Sequence, residues 1–363
     1  MRHFHAPGRV NLIGDHIDYM GGTVLPMAID RGTDLWVAPR ADRRLVAVSE
    51  NFPGTGEVVA DIDAQGKDPR WDWANYLVAV AHVFRQRGVT VPGMDVRVRG
   101  NIPPGAGLSS SASLELAMAV ALNAVVGAGL DTAELARVGQ TAENDFIGVA
   151  CGIMDQMAIA AGVEGHALAI DCQTLDVTPI PFPADVAVVV ANTNQHRELS
   201  DSAYNQRRAA CEEAESLLGT RLVDVDVSLA DETVAGLPAE LRAPARHVIT
   251  EQGRVHAFAE ALRSGDRDAM GLLMRASHIS LREDFEVTGP ALDAMAEAAW
   301  RAPGIIGARM TGAGFGGCTV NLVEPDVVAE FEASVAQRYT GETGLEPQFY
   351  RVRSAAGAHE ASP

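Results

Sequence analysis

The sequence contains few cysteines, and they are not spaced for a metal site or a disulfide framework. Its four cysteines, Cys151, Cys172, Cys211 and Cys318, are scattered over 363 residues without a CxxC pair. Structural zinc sites and small disulfide-bonded domains both need cysteines at short or regular spacings. The pattern therefore predicts reduced thiols in a cytoplasmic protein.

Basic clusters and long apolar runs are also missing. The formal net charge is -19, and Lys and Arg do not cluster in the sequence. Because phosphate backbones are bound through clustered basic residues, we expect no nucleic acid partner. No apolar run is long enough for a convincing membrane span, and residues 1–7 lack the apolar region of a signal peptide. We therefore expect no association with a membrane.

The chain has ample material for a large buried core. Hydrophobic residues make up 47% of its 363 positions, which favours two domains over one. The proline-rich segment Asp171–Pro183 is the best candidate for a boundary, and it divides the chain into residues 1–182 and 183–353. We expect residues 355–363, which are mainly small or polar, to form a mobile tail.

A glycine- and serine-rich loop precedes an alanine-rich helical run. The loop is Asn101–Ala112, NIPPGAGLSSSA, and its two prolines end the preceding strand because they cannot donate to a sheet ladder. Its glycines let a ligand approach the backbone, and the helix that follows offers unpaired N–H groups to a phosphate. The serine hydroxyls can bond a phosphate or ligate Mg²⁺, and a plain capped helix is the alternative.

Strands and helices alternate along most of the chain. The segments Leu35–Ser49 and Glu57–Ile62 have the alternation of strands in a meander. Asp72–Arg87 has the period of an amphipathic helix, with the aromatic residues of its WANY segment on the apolar side. The spacing also predicts a helix over Thr132–Ala150.

Charged residues stand at unusual positions in two further segments. In Gly8–Ile29, Asp15 and Asp18 flank a histidine beside turn glycines, and a surface turn is the alternative reading of Asp18. Asp155 lies within an apolar stretch, CGIMDQMAIAAG. A lone carboxylate there is costly unless it is paired or used in chemistry, and the alternative is an N-cap for the helix that follows it.

Neither glycine-rich loop fits a common nucleotide fingerprint. A P-loop needs a lysine between its last glycine and its hydroxyl residue, and both loops lack that lysine. A dinucleotide fingerprint lies between a strand and a helix, whereas Gly312–Gly317 leads into a strand near the C-terminus.

Six segments in register resemble the GHMP kinases and, within them, the galactokinases. Gly8–Pro26 resembles the galactokinase signature, Ile102–Glu115 the phosphate loop, and Arg309–Cys318 the C-terminal glycine-rich loop. Three shorter segments are also similar to galactokinases: WANY at Trp73–Tyr76, CGIMDQ at Cys151–Gln156 and SDSAYNQRR at Ser200–Arg208. The likeness extends from about His5 to Val352.

The resemblance implies a fold and an activity. The fold is α+β, a two-domain GHMP kinase fold whose N-terminal domain is similar to ribosomal protein S5 domain 2 and whose C-terminal domain is ferredoxin-like. The active site would lie in the cleft between the domains. The activity is the ATP-dependent phosphorylation of the anomeric hydroxyl of an aldose to the sugar 1-phosphate, and galactose is the expected aldose. We expect a monomer.

The resemblance also implies the roles of individual residues. Asp155 faces the sugar O1 as the proposed base, and Arg9 lies beside it, where its charge favours the ionised carboxylate. Ser111 and Glu143 match the family's Mg²⁺ ligands. The ATP phosphates fall on Gly105, Ala106, Gly107, Leu108, Ser109, Ser110 and Ser111. The residues that match the family's sugar contacts are Asp15, His16, Ile17, Asp18, Gly152 and Tyr204.

The signature departs from the family pattern, and two alternative functions stay open. Asp15 stands where galactokinases usually carry a glutamate that reaches the sugar's C6 hydroxyl, and Ile17 replaces the common threonine. The shorter side chain would lose that contact or leave room for a larger C6 substituent. The first alternative is therefore a 1-kinase for N-acetylgalactosamine or for a C6-modified or higher-carbon sugar. The second is a non-catalytic sugar and ATP sensor, which the intact SSSAS segment and Asp155 disfavour.

Overall fold

Alternating apolar and polar residues in the first hundred positions build most of one large sheet. The structure, a computed structural model, describes residues 1–103, 105–195 and 200–361, and only the backbone of residues 200–203. Pro104 of the glycine- and serine-rich loop lies outside the described residues. So do the side chains of the first four residues of SDSAYNQRR and residues 362–363 of the predicted tail.

Thirteen strands are described, and the first eight lie in the N-terminal half. These eight are β1 (Arg2–Asn11), β2 (Thr23–Val24), β3 (Pro26–Arg40), β4 (Arg44–Ser49), β5 (Val58–Asp61), β6 (Gly93–Gly100), β7 (His166–Asp171) and β8 (Val177–Pro181). The other five are β9 (Ala187–Asn192), β10 (Ile305–Thr311), β11 (Cys318–Val323), β12 (Gln348–Val352) and β13 (His359–Glu360).

Ten α-helices are described. They are α1 (Asn75–Gln86), α2 (Ser110–Val126), α3 (Thr132–Thr141), α4 (Met154–Ala160), α5 (Ser200–Leu218), α6 (Ala230–Ala235), α7 (Ala239–Ser264), α8 (Arg267–Glu283), α9 (Pro290–Trp300) and α10 (Val328–Thr343). Among the described residues, none of these helices is long and apolar enough to cross a membrane.

The large sheet has the strand order β13-β1-β3-β6-β4-β5. β6 lies between β3 and β4 and pairs with β4 in parallel, from Leu45 opposite Met94 to Ser49 opposite Val98. The predicted meander over Leu35–Ser49 is therefore wrong here, although β4 and β5 do pair antiparallel. The crossover through β5 and α1 makes β4 and β6 parallel, and alternation along a strand indicates its buried face but not its neighbour.

The second half contains a four-stranded antiparallel sheet in the order β10-β11-β9-β12. β9 comes first in the chain and lies between β11 and β12. β10 comes second in the chain and lies at the outer edge, beside β11. This is the ferredoxin-like arrangement that the sequence predicts. Val189 and Ala191 of β9 face a core formed with α9 and α10, whereas Val188 and Val190 belong to a larger core.

That larger core joins the two halves of the chain. It includes Ile13 and Val24 from the N-terminal half with Val255 and Met310 from the C-terminal half. A second core fills the space between the large sheet and α1, α2 and α3. The two-domain GHMP fold is confirmed, whereas the boundary between residues 182 and 183 stays a prediction because the larger core contains residues from both sides.

The C-terminal residues return to the first half, so the prediction of a mobile tail is wrong for residues 355–361. We call residues 353–361 the C-terminal strap. Its backbone N–H groups donate to carbonyls of the first half: Ala355 to Ala28 (3.0 Å), Gly357 to Gly162 (2.8 Å), Ala358 to Ile159 (2.8 Å) and Ala361 to His3 (2.9 Å). β13 adds an edge strand to β1. The small residues that suggested mobility instead allow this close backbone contact.

Candidate active site

Arg9 and Asp155, 146 positions apart in the chain, form an ion pair with two hydrogen bonds. Arg9 Nε donates to Asp155 Oδ1 and Nη2 donates to Oδ2, each at 2.8 Å. Arg9 Nη1 also donates to the carbonyl of Gly107 at 2.7 Å. Such two-point pairing fixes the plane of the carboxylate as well as its position. The contact therefore joins β1, the phosphate loop and α4 at one point.

Asp155 lies in the first turn of α4, but it does not cap that helix. The N-cap is Ile153, so the N-cap interpretation of Asp155 is wrong, and the carboxylate is left for Arg9. Ser109 Oγ donates to Asp155 Oδ2 at 2.5 Å. Ser109 precedes α2 in a left-handed conformation and makes no side-chain cap bond. The simple capped-helix alternative is therefore wrong as well, and the N-terminal N–H groups of α2 are not capped by this serine.

The phosphate loop contacts the Arg9–Asp155 pair through the Gly107 carbonyl and the Ser109 hydroxyl. Gly105 and Gly107 have φ angles of 70° and 66°, which a residue with a side chain rarely adopts. Ala106 and Leu108 have buried side chains, so only their backbone groups are available to a ligand. Ser110 is exposed at the start of α2.

Ser111 and Glu143 are brought together, as the sequence predicts. Ser111 Oγ donates to Glu143 Oε1 at 2.9 Å, and the amide of Gln156 donates to Glu143 Oε2 at 2.8 Å. The predicted helix Thr132–Ala150 ends early, because α3 continues only as a π-helical turn from Ala142 to Ile147. This rare turn carries Glu143, and such turns often occur at functional sites. Burial raises the pKa of Glu143.

Behind Glu143 lies a carboxyl group that the sequence analysis missed. Glu115 of α2 is fully buried and accepts a hydrogen bond from the Gln156 amide at 3.3 Å. Burial raises its pKa well above the ordinary value, with a further increase from Glu143. One oxygen of Glu115 and the amide oxygen of Gln156 have no partner among the described residues. The signal was a lone glutamate in an alanine-rich helical run.

A cavity of about 260 Å³ opens beside the Arg9–Asp155 pair. Five of the six predicted sugar residues line it: Asp15, His16, Asp18, Gly152 and Tyr204. Ile17, the sixth, is fully buried in the core that joins the two halves. Tyr19 also lines the cavity, with its ring centroid 5.5 Å from that of Tyr204, and the sequence analysis did not single it out.

Asp18 fits the cavity because residue 152 is a glycine. A Cβ on Gly152 would lie 1.8 Å from Asp18 Oδ2, so any side chain there would displace the carboxylate. The backbone N–H groups of Tyr19 and Met154 donate to Asp18. Burial, with a further contribution from the charge of Asp155, raises the pKa of Asp18 to about 6.

His16 lies in this wall as a neutral imidazole. Burial lowers its pKa to about 3, and its φ of 67° is unusual for a residue with a side chain. Nε2 lies 3.2 Å from the carbonyl of Ala313, which can only accept, so Nε2 carries the proton. Nδ1 is then the acceptor for the hydroxyl of Tyr19, 3.2 Å away.

A second cavity, of about 210 Å³, is lined in part by the phosphate loop. Phe52 and Trp73 line it with stacked rings whose centroids are 6.5 Å apart, and Ser110 and Ser111 form its edge. Tyr76 also lines it. The predicted helix Asp72–Arg87 begins three residues late, at Asn75, because Trp73 lies in a preceding 3-10 turn.

Within the described residues, no group of three or more His, Cys, Asp or Glu side chains is arranged to hold a metal ion. A metal ion at this place would take one oxygen from Ser111 and one from Glu143. Two hard oxygen ligands supplemented by phosphate oxygens and waters suit Mg²⁺, which usually keeps several waters.

Family models match three segments of the chain, and known proteins match nearly all of it. The galactokinase galactose-binding signature matches residues 2–39, the GHMP kinases N terminal domain residues 75–163, and the GHMP kinases C terminal domain residues 258–341. A galactokinase of Bacillus subtilis is 44% identical over 368 residues, covering 99% of this chain and 94% of that protein. A galactokinase of Fusobacterium nucleatum is 44% identical over 365 residues, covering 98% and 94%.

Solved structures agree with these matches. The crystal structure of Lactococcus lactis galactokinase complexed with galactose has a TM-score of 0.95 and 38% identity, covering 99% of this chain and 95% of that one. The mevalonate kinase of Methanococcus jannaschii has a TM-score of 0.70 at 18% identity, which indicates a shared fold alone. On these matches over nearly its full length, the chain belongs to the galactokinase family of the GHMP kinases.

Proposed function

We propose that the protein transfers the γ-phosphoryl group of ATP to the anomeric hydroxyl of galactose, giving galactose 1-phosphate and ADP. The observation that carries the proposal is the Arg9–Asp155 pair, which lines the first cavity and is hydrogen-bonded to the phosphate loop, part of which lines the second cavity. Galactose is the proposed sugar because a solved relative with 38% identity is complexed with it.

The second cavity suits the adenine ring of ATP. Its aromatic lining, Phe52, Trp73 and Tyr76, can stack on a planar base. From there the triphosphate would follow the backbone N–H groups of Gly105–Ser111 toward the first cavity, with the N-terminus of α2 favouring its negative charge. The γ-phosphorus would then lie beside the sugar cavity.

Ser111 and Glu143 would hold Mg²⁺ with the phosphates, since their oxygens already lie 2.9 Å apart and are of the type this ion prefers. Mg²⁺ bound there neutralises charge on the phosphates. Gln156 fixes the second oxygen of Glu143. The monomeric state and the cytoplasmic location stay predictions of the sequence.

In the proposed reaction, Asp155 accepts the proton of the anomeric hydroxyl. The sugar oxygen forms its bond to the γ-phosphorus as the bond to the β,γ-bridging oxygen breaks, and ADP leaves. Arg9 donates two hydrogen bonds to the Asp155 carboxylate and so orients it to accept the proton of the sugar hydroxyl. Asp18, His16 and Tyr204, with the close approach that Gly152 allows, orient the sugar.

The test is ADP release with Mg·ATP on galactose, glucose, mannose, N-acetylgalactosamine, galacturonate and a C6-extended galactose. We expect a clear preference for galactose. Activity only on an N-acetylated or C6-modified sugar would show that this sugar, and not galactose, is the substrate. Silence on every sugar, with ATP still bound, would favour the sensor.

The same assay tests the role of Asp155. Asp155→Asn should lower kcat by about 10²- to 10⁴-fold, the usual range for removing a general base, while galactose still binds. Asp268→Asn, an exposed aspartate in the first turn of α8, is the matched control and should keep the wild-type kcat. Equal kcat values for wild type and Asp155→Asn would refute the proposed mechanism.

A further inference from the structure

Asp15 lines the sugar cavity, but its carboxylate is occupied by the protein itself. Only 1% of the residue is exposed. Oδ2 accepts from Arg309 Nη1 at 2.5 Å, and Oδ1 accepts from the backbone N–H of Gly312 at 2.9 Å. Asp18, by contrast, forms no ion pair among the described residues and accepts from the backbone N–H groups of Tyr19 and Met154.

Arg309 is itself fixed within a buried chain of charges. It is fully buried at the end of β10, and its Nε donates to Ser277 Oγ at 3.1 Å. Glu251 of α7, also fully buried, accepts from the Gly14 N–H at 2.9 Å and from Ser277 Oγ at 2.6 Å. Arg254 donates to the other oxygen of Glu251 at 2.6 Å. The arrangement fastens the loop after β1 to three elements of the C-terminal half.

This fastening joins two neighbouring walls of the sugar cavity. One wall is the loop that carries Asp15 and His16, and the other is the glycine-rich loop that begins at Gly312. A second link between them is the contact of His16 with the carbonyl of Ala313. Asp15 therefore fixes where the Gly312 loop lies relative to the loop after β1.

We infer that Asp15 is a positioning residue, which sets the shape of the sugar cavity by holding Arg309 and Gly312 in place, and that it is not a ligand of the sugar. The inference rests on the proposed function, and it revises the sugar contact that the sequence implied for Asp15. Asp15 lies in the cavity wall, but both oxygens of its short side chain already accept hydrogen bonds, one from Arg309 and one from Gly312. Asp18 is then the carboxylate that recognises the sugar.

The first experiment is a double-mutant cycle of Asp15→Asn and Arg309→Gln. Each single variant leaves a buried charge without its partner, and the double variant removes both charges. Each single change should raise KM for galactose by about 10-fold or more and leave kcat within about 3-fold, because Arg9 and Asp155 are untouched. The double variant should recover much of that loss. Multiplicative losses in the double variant would overturn the inference.

The second experiment separates positioning from direct contact. The ratio of kcat/KM between wild type and Asp15→Asn is measured on galactose and on its 2-, 3-, 4- and 6-deoxy analogues. A positioning residue gives the same ratio on all of them. A direct ligand loses its effect on the analogue that lacks its hydroxyl, and that result would overturn the inference. Asp18→Asn is the matched variant and should give such a sugar-dependent ratio.

A wild-type protein that phosphorylates no sugar would refute the proposed function, and the positioning role of Asp15 would then be tested by stability alone. The unfolding temperatures of the four proteins in the cycle need no substrate, and they test the coupling of Asp15 to Arg309 by themselves. We expect the double variant to unfold at a higher temperature than the sum of the single changes predicts. Additive changes would refute the coupling and, with it, the positioning role.

Discussion

Single residues in this site are placed by burial and charge rather than by local sequence. Asp18 shows this most clearly, because its carboxylate lies against Gly152 and near Asp155, where burial raises its pKa to about 6. In the unfolded chain its pKa would return to about 3.9. The folded protein therefore holds the Asp18 proton more tightly than the unfolded chain does.

From this difference we predict that Asp18→Asn stabilises the free protein at pH 7. The proton on Asp18 stabilises the folded state at low pH, and that contribution is lost as the pH rises from about 4 to about 6. Above pH 6 the charged carboxylate costs the fold up to about 3 kcal/mol, which asparagine avoids. Unfolding temperatures measured from pH 4 to pH 8 check this, and the two proteins should converge near pH 4.

The Asp18→Asn variant should also lose most of its affinity for galactose, since the asparagine amide has one acceptor oxygen where the carboxylate has two. In the wild type, kcat/KM for galactose should fall as the pH drops below about 6, where Asp18 takes up its proton. An Asp18→Asn protein that is less stable than wild type at pH 7 would contradict the assigned cost of the charge.

At the scale of elements, the helix that carries Asp155 is held at its far end by the C-terminal strap. The Ala358 N–H donates to the Ile159 carbonyl near the end of α4, which satisfies a group that a helix leaves unpaired. Gly357 packs so closely that a Cβ there would lie 2.4 Å from the Ala160 carbonyl oxygen. The strap thus links β12 of the second half to α4 and β1 of the first.

We predict that Gly357→Ala lowers the free energy of unfolding by about 1–3 kcal/mol, the range expected for overpacking. It should also lower kcat, because the backbone that must move belongs to the helix that presents Asp155. Chemical unfolding and ADP release measure the two effects. Gly54→Ala is the matched control, since a Cβ on Gly54 would have no neighbour within 4 Å and should change stability by less than about 0.5 kcal/mol. Equal stabilities for the two variants would refute the strap contact.

At the scale of the whole molecule, a sugar cavity and an aromatic cavity lie in a strongly acidic protein. The net charge is -19, and Arg9 is the only Lys or Arg among the described residues that line either cavity. An anionic nucleotide must therefore rely on backbone N–H groups, the N-terminus of α2 and a bound cation. This makes the aromatic cavity important for binding ATP.

We predict that Trp73→Ala raises KM for ATP by about 5- to 100-fold, the effect of losing one stacked base at about 1–3 kcal/mol. KM for galactose should change little, because the sugar cavity is lined by other residues. Trp71→Ala is the matched control: Trp71 lies in the same 3-10 turn but does not line the cavity. Initial rates at varied ATP and galactose measure both constants. A larger effect on galactose than on ATP would refute the proposed adenine site.

Local patterns in the sequence were enough to predict the family, the phosphate loop and most of the residues that meet in the site. These follow from local patterns, such as prolines that end a strand, glycines before a helix and a lone carboxylate among apolar residues. Arg9, Asp155, Ser111 and Glu143 come together as their motifs predict. Ile17 does not reach the cavity, because the side chain after His16 points into the core.

The choice of partners among distant groups follows from the fold and from no local pattern. Asp15 pairs with Arg309, 294 positions away, Glu115 lies behind Glu143, β6 separates β3 from β4, and the C-terminal strap closes on α4. Periodicity reports which face of an element is buried, and it carries no information on what packs against that face. The partners are chosen by the joint packing of both halves around one core, which no local stretch of sequence contains.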